Sequence, residues 1–300
     1  MLRTNEDKLV KISVMGEISH PTIAKAGYNI CADGSLTVLP GVGGITYNCR
    51  VGDPAVGLAA DHVEPGVSIR QAGKGKEREN VALNTLACVG NEVRVLSGDA
   101  KGEKGVVTGK HGGIEHVIVN FPLDVLEKLA VGDKMQVIAY GAGLELLDYP
   151  DVTVMNCDPR LLKAMEPKEV EKGMIEVPVA AIVPAVVMGS GLGSNTCYSG
   201  DYDIQMFDEK TVKKHGLGGI RFGDIVAIMD ADHSYGRIFK SGAVSVGVVV
   251  HSDSRVSGHG PGVATLMTSP KGKIVPRVDQ RVNLAALLRL REGAKKIKTK

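Results

Sequence analysis

Apolar residues along this chain alternate with polar ones in short runs, and helical spacing is rare. Runs at 9–14, 36–39, 45–49 and 67–69 are separated by Asp33-Gly34, Pro40-Gly41 and Pro65-Gly66, the pattern of brief strands joined by tight turns. The polar stretch 73–80 (GKGKEREN) reads as an exposed loop, and 81–88 as a strand or one short helix. Further on, β-branched runs at 175–187, 225–229 and 243–251 predict strands. A helical connection is expected over 152–171, with Pro159 near its start, and a short helix over 283–291, capped by Asn283 and stopped by Gly293.

Residues 91–147 read as a unit of their own. Alternating runs at 91–96, 105–108, 116–120 and 134–139 flank a glycine turn, and 123–129 forms one amphipathic turn. The stretch VRVLSGDAKGEKGVVTGKHGG resembles the KOW-type motif of small SH3-like barrels. The expected fold is therefore mostly β. A β-rich main domain, sandwich or barrel-like, is built from 1–90 plus 148–300, with a small SH3-like (KOW-type) barrel inserted at 91–147 and few short helices.

Composition agrees with this. The 38 glycines fall in no collagen period, and with no tryptophan and four phenylalanines the core is left to aliphatic side chains. A net charge of +2 offers no field to draw nucleic acid, and the one dense basic run, at 295–300, reads as a solvated tail. The strands of the expected insert carry no aromatic platform for bases, so a nucleic-acid partner is not expected. Were RNA bound there, Lys101, Lys104 and Lys110 would carry it. The five cysteines form no CxxC pair, no secretory signal is apparent, and no apolar stretch is long enough to span a bilayer. A cytoplasmic protein is expected, and the strand edges suggest a homo-oligomer.

Candidate chemistry falls at strand ends. Asp201 with Asp203, Asp230 with Asp232 and His233, and His251 with Asp253 each set ligand-type groups at strand spacing, where residues i and i+2 share a face. Neighbouring carboxylates repel unless a cation or shared proton intervenes, so such pairs suit a divalent ion, Zn²⁺, Mn²⁺ or Mg²⁺. Asp203, Asp230, Asp232 and His233, joined by Asp61 and His62, make the expected metal set. Glu64 and His233 are the candidate catalytic groups, Glu64 as general base. Gly258–Gly262 offers a further imidazole, His259, in a flexible loop. His20, His111, His116 and His215 lack acidic neighbours at matching spacing and read as surface residues. The run GSGLGSN at 189–195 lacks the helix that a phosphate loop needs and reads as a turn. Cys197 is the nearest thiol to the acidic pair, and no GxSxG elbow surrounds Ser190 or Ser199.

The segments GDYDIQMFD and DADHSYGR resemble a bacterial and archaeal family known as a domain of unknown function. A more distant resemblance is to acetamidase/formamidase proteins, β-rich and metal-associated amide hydrolases. Three patches carry it: Asp53-Pro54-Ala55-Val56-Gly57 with Glu64-Pro65-Gly66, then Gly200-Asp201-Tyr202-Asp203-Ile204, then Asp230 through Gly236. In the last patch the family's DGH becomes Asp230-Ala231-Asp232, so the histidine is either replaced or displaced to His233. The resemblance implies a metal-dependent hydrolase of a small amide or another C–N bond. The alternatives are a non-catalytic small-molecule binder and a protein that holds RNA or a partner on the inserted barrel.

Overall fold

A computed structural model of the chain describes residues 2–23, 26–191 and 196–291. Gly293, the lysine-rich tail and residues 192–195 of the glycine run lie outside the described residues. Six strands close a barrel: β1 (Ile12–Ile18), β2 (Gly66–Arg70), β3 (Glu92–Val95), β4 (Lys104–His111), β5 (His116–Asn120) and β6 (Lys134–Ala139). Around it the order is β1-β6-β3-β4-β5-β2 and back to β1, with every pair antiparallel. Closure leaves no unpaired edge. The stretch 91–147 thus supplies four of the six strands, and β1 and β2, which precede it, supply the other two. Alternation along these strands turns Ile18, Ile69, Val93, Val107, Val119 and Val137 inward to a dry core.

The expected loop at 73–80 contains the start of a helix, Glu77–Leu86, whose Leu83 joins the barrel core. The polar run misled because Asn80 is buried and structural: its amide oxygen accepts from Gln71 N at 2.8 Å and its NH₂ donates to Glu115 O at 3.2 Å.

A second sheet contains β7 (Thr153–Val154), β8 (Ala181–Val183), β9 (Tyr202–Asp203), β10 (Ile225–Asp232), β11 (Ile238–Val249) and β12 (Gly262–Ser269). Its order is β7-β12-β11-β10-β8, with β9 pairing beside β12. Apolar clusters fill both of its faces, one around Val246 and Leu266 and the other around Tyr202 and Phe222. The single strand expected over 175–187 divides. Met174–Val179 joins a three-stranded sheet with Lys168–Glu171 and Ile274–Val278, while β8 runs parallel to β10 and ends before Pro184. The helices Pro159–Met165 and Leu284–Leu287 start where capping chemistry places them, with Asp158 accepting from Arg160 N and Asn283 from Ala285 N, both at 2.8 Å. Among the described residues no helix is long and apolar enough to cross a membrane.

Candidate metal centre

The barrel and the second sheet meet where β4 ends and β9 begins. Strand alternation on β9 sends the Tyr202 ring one way, into the apolar cluster, and the flanking Asp201 and Asp203 the other. The two carboxylates meet four imidazoles. His111 ends β4, His62 lies just before β2, His251 follows β11, and His259 belongs to the loop leading into β12. His251 Nε2 is 2.9 Å from Asp201 Oδ2 and 3.5 Å from Asp203 Oδ1. His259 Nδ1 is 2.9 Å from Asp203 Oδ2 and 3.0 Å from His62 Nε2. The His111 and His251 rings stack with centroids 4.2 Å apart, and those of His62 and His251 are 5.0 Å apart.

Three of the rings are held in the same way. Nδ1 of His62 donates to Asp61 Oδ1 at 2.5 Å, Nδ1 of His111 to Glu64 Oε1 at 2.7 Å, and Nδ1 of His251 to the Ser252 carbonyl at 2.9 Å. Each acceptor fixes the tautomer with its proton on Nδ1. The Nε2 lone pairs of His62 and His251 are thereby directed at the Asp201 and Asp203 carboxylates, and Nε2 of His111 is left as the nitrogen Glu64 does not hold. An imidazole lone pair facing a carboxylate is repulsive unless a proton or a cation lies between them. An outer acceptor behind each imidazole is also the support that metal-binding histidines receive. His62 also holds φ at +56°, a left-handed conformation that side-chain-bearing residues rarely adopt, with its N–H donating to Asp253 O at 3.2 Å.

Electrostatics follow from these contacts. Burial alone would lower the His251 pKa, yet Asp201 and Asp203 outweigh it and hold the ring well above the ordinary histidine value. Burial likewise opposes charge on His62, where bonds to Asp203 and Asp61 prevail and raise it. Asp203 stays well below the carboxylate range because its bonds to His251, His259 and His62 overcome its burial.

The residues expected from sequence divide into two groups. Asp61, His62, Glu64 and Asp203 come together. Asp230, Asp232 and His233 do not join them, which corrects that part of the expected metal set. Asp230 sits at a bulge with φ of +53° and accepts from Gly242 N at 2.7 Å. Asp232 accepts from the Ser234 backbone and hydroxyl at 2.9 and 2.6 Å, so it acts as a turn former. His233 packs behind β9, its ring 4.3 Å from Tyr202 and its Nδ1 2.8 Å from Thr265 Oγ1. It therefore faces away from the cluster and cannot act as its acid or base. Asp253 turns aside to accept from Gly57 N at 2.9 Å.

Glu64 is central but cannot be the general base. Its oxygens accept from His111, from His116 Nδ1 at 3.0 Å, from Ser68 Oγ at 2.5 Å and from Gly43 N at 2.7 Å. Burial would raise its pKa, but His116 and His111 hold it well below the usual range, so it remains an ionised acceptor. Through this bond it holds the His111 ring in place.

His111 and His116, expected at the surface, are both buried, as cross-strand partners in the β4–β5 hairpin. That hairpin spacing was the one sequence signal that could have paired them. Asp201 and His251 were visible as members of acidic pairs and His259 as a loop imidazole, but their convergence needs the tertiary fold. Of the two other histidines, His20 is exposed and His215 half-buried. Lys110, expected to be available to RNA, is wholly buried and donates to Asn156 Oδ1 at 2.7 Å and Tyr198 O at 2.5 Å. The cluster opens to solvent at His62, where a cleft of about 330 Å³ is lined by Asp61, His62, Leu39, Val42 and Val256 among others.

No curated protein matches the chain. A solved structure described as "Crystal structure of TM1086" is similar to it, with 50% sequence identity and a TM-score of 0.89 over 95% of this chain and 98% of that one. The model of the N-terminal domain of unknown function DUF4438 matches residues 28–163, and its C-terminal counterpart matches 164–288. His62, Glu64, His111 and His116 thus come from the first matched segment, and Asp201, Asp203, His251 and His259 from the second. The chain belongs to the DUF4438 family.

Proposed function

We infer that this protein is a metal-dependent hydrolase whose centre is the cluster of His62, His111, Asp201, Asp203, His251 and His259. One observation carries the reading: three imidazoles are each anchored through Nδ1, and those of His62 and His251 aim Nε2 at buried carboxylates. Four imidazoles with two carboxylates suit Zn²⁺ or Mn²⁺ better than Mg²⁺, which prefers an all-oxygen shell. When bound, such an ion supplies a Lewis acid and lowers the pKa of a coordinated water. The chain's own residues orient the ligands, exclude water around His251 and Glu64, and admit a small molecule through the cleft at His62. The substrate class, a small amide or related C–N bond, is supported by two of the three acetamidase/formamidase-like patches. Glu64-Pro65-Gly66 and Gly200 through Ile204 both lie at the centre, and the patch at Asp230 lies away from it. Five unpaired cysteines support a cytoplasmic setting.

The test is elemental analysis of purified protein, followed by a panel of short aliphatic amides assayed with added Zn²⁺ or Mn²⁺. Ammonia release by the wild type and its loss in Asp203→Asn is the expected result. Protein that takes up no divalent ion, or loaded protein that matches Asp203→Asn on every amide, would overturn the reading.

A further inference from the structure

We propose that the cluster is a two-ion centre, with an inner site of His111, Asp201 and His251, an outer site of His62, Asp203 and His259, and the Asp203 carboxylate bridging them. The proposal rests on the metal-dependent reading above and adds how many ions the centre takes and how they differ.

Six protein ligand groups exceed the four of a zinc site and would leave an octahedral Mn²⁺ no position for water or substrate, and they fall into two sets. In each triad one donor atom per residue can be chosen so that all three lie within 4.8 Å of one another. Each set has two imidazoles and one carboxylate. The two sets share a wall. Asp203 turns Oδ2 to the outer imidazoles, 2.9 Å from His259 Nδ1 and 3.6 Å from His62 Nε2, and Oδ1 to the inner one, 3.5 Å from His251 Nε2. A carboxylate with one oxygen toward each set is the natural bridge between ions, which in two-metal sites lie about 3.5–4 Å apart.

Charge points the same way. Asp61, Glu64, Asp201 and Asp203 are all buried here, and none has a lysine or arginine side chain as hydrogen-bond or ion-pair partner among the described residues. Four buried negative charges are costly unless compensated, and with neutral imidazoles two divalent cations compensate them in full. Gly262 keeps room for the inner ion. A Cβ there would collide with both Asp201 Oδ2 and His251 Nε2, the two atoms that would share it.

The sites differ in access. His251 is wholly buried, whereas the side chains of His62 and His259 are 17% and 36% exposed. The inner ion is therefore the slowly exchanging one, and the outer ion is the one that meets solvent and substrate.

Zinc or manganese titration of the chelator-treated full chain, with elemental analysis after gel filtration, decides the matter. Two ions per chain are expected, the second leaving first under chelator. His259→Ala and His62→Ala should each retain one ion, and the exchange-coupled Mn²⁺ spectrum of the wild type should collapse to that of an isolated ion in both. A wild-type chain that saturates at one ion overturns the two-ion centre and leaves the hydrolase reading standing; a chain that binds none overturns both. Retention of two coupled ions by both variants would overturn the assignment of the outer ligands. The wild-type stoichiometry does not depend on any variant folding, and circular dichroism checks the variants.

Discussion

Glu64 and His111 are joined by a 2.7 Å hydrogen bond from the ring Nδ1 to Oε1, although Glu64 lies just before β2 and His111, 47 residues on, ends β4. Gly43, with φ of +90°, brings its N–H to Oε2 and so holds the other oxygen of the same carboxylate. The carboxylate thus becomes a fixed post against which the imidazole is set.

Glu64→Gln keeps the shape and removes the charge. Support of this kind affects metal affinity by about 10–100-fold, and a loss in that range is expected for the variant. Glu64→Ala should in addition lower stability by roughly 3 kcal/mol, the scale for stranding the partners of a buried charge. Calorimetric metal titration and urea unfolding measure the two effects, and unchanged affinity in Glu64→Gln would remove the positioning role.

Gly262→Ala should abolish binding at the His111, Asp201 and His251 triad while leaving the six-stranded barrel folded. The added methyl meets both Asp201 and His251, each of which is held on its other side, Asp201 Oδ1 by Gly112 N at 2.7 Å and His251 Nδ1 by the Ser252 carbonyl at 2.9 Å. Metal content per chain, with far-ultraviolet circular dichroism as the folding control, is the measurement. Full loading of the variant would contradict the described geometry.

His233 predicts an acid-sensitive contribution to stability. Burial, aided by Arg237 and opposed by Asp232, lowers its pKa from 6.5 to about 3. As pH falls below 6.5 the unfolded chain takes up a proton that the folded chain refuses until about 3. Stability from this group is therefore complete above that window and lost on descending through it. His233→Gln should flatten the difference between unfolding curves at the top and bottom of the window, and a variant with the wild-type pH dependence would refute the assignment.

Lys110→Met should destabilise the chain by about 1–3 kcal/mol, because Asn156 Oδ1 and the Tyr198 carbonyl lose their shared donor. Burial pushes the Lys110 pKa down to about 8, and among the described residues the ammonium has neutral oxygens but no carboxylate as partners. Denaturant unfolding tests the cost, and a Met variant as stable as the wild type would show the acceptors to be satisfied in other ways.

Regular strands were the most legible part of the chain, and β5 and β6 coincide with the alternating runs that predict them. Barrel closure was not, since the pairing of β1 with β2 and β6 joins segments far apart in sequence, and no local period encodes it. At the centre, the i, i+2 rule found Asp201 and Asp203 because β9 is regular there. The same rule failed at Asp230 and Asp232, where a bulge breaks the alternation and turn bonds consume the oxygens. His111 and His116 have no acidic neighbour at matching local spacing, because their partner Glu64 lies 47 and 52 residues from them along the chain.

Each triad draws one imidazole from the first matched segment and a carboxylate with a second imidazole from the other. Any cation seated there is consequently a rivet between chain halves. Its grip adds to the free energy of keeping them together, so melting temperature should climb with free ion concentration and drop when a chelator is added. Loading and cohesion are, in this architecture, a single thermodynamic event.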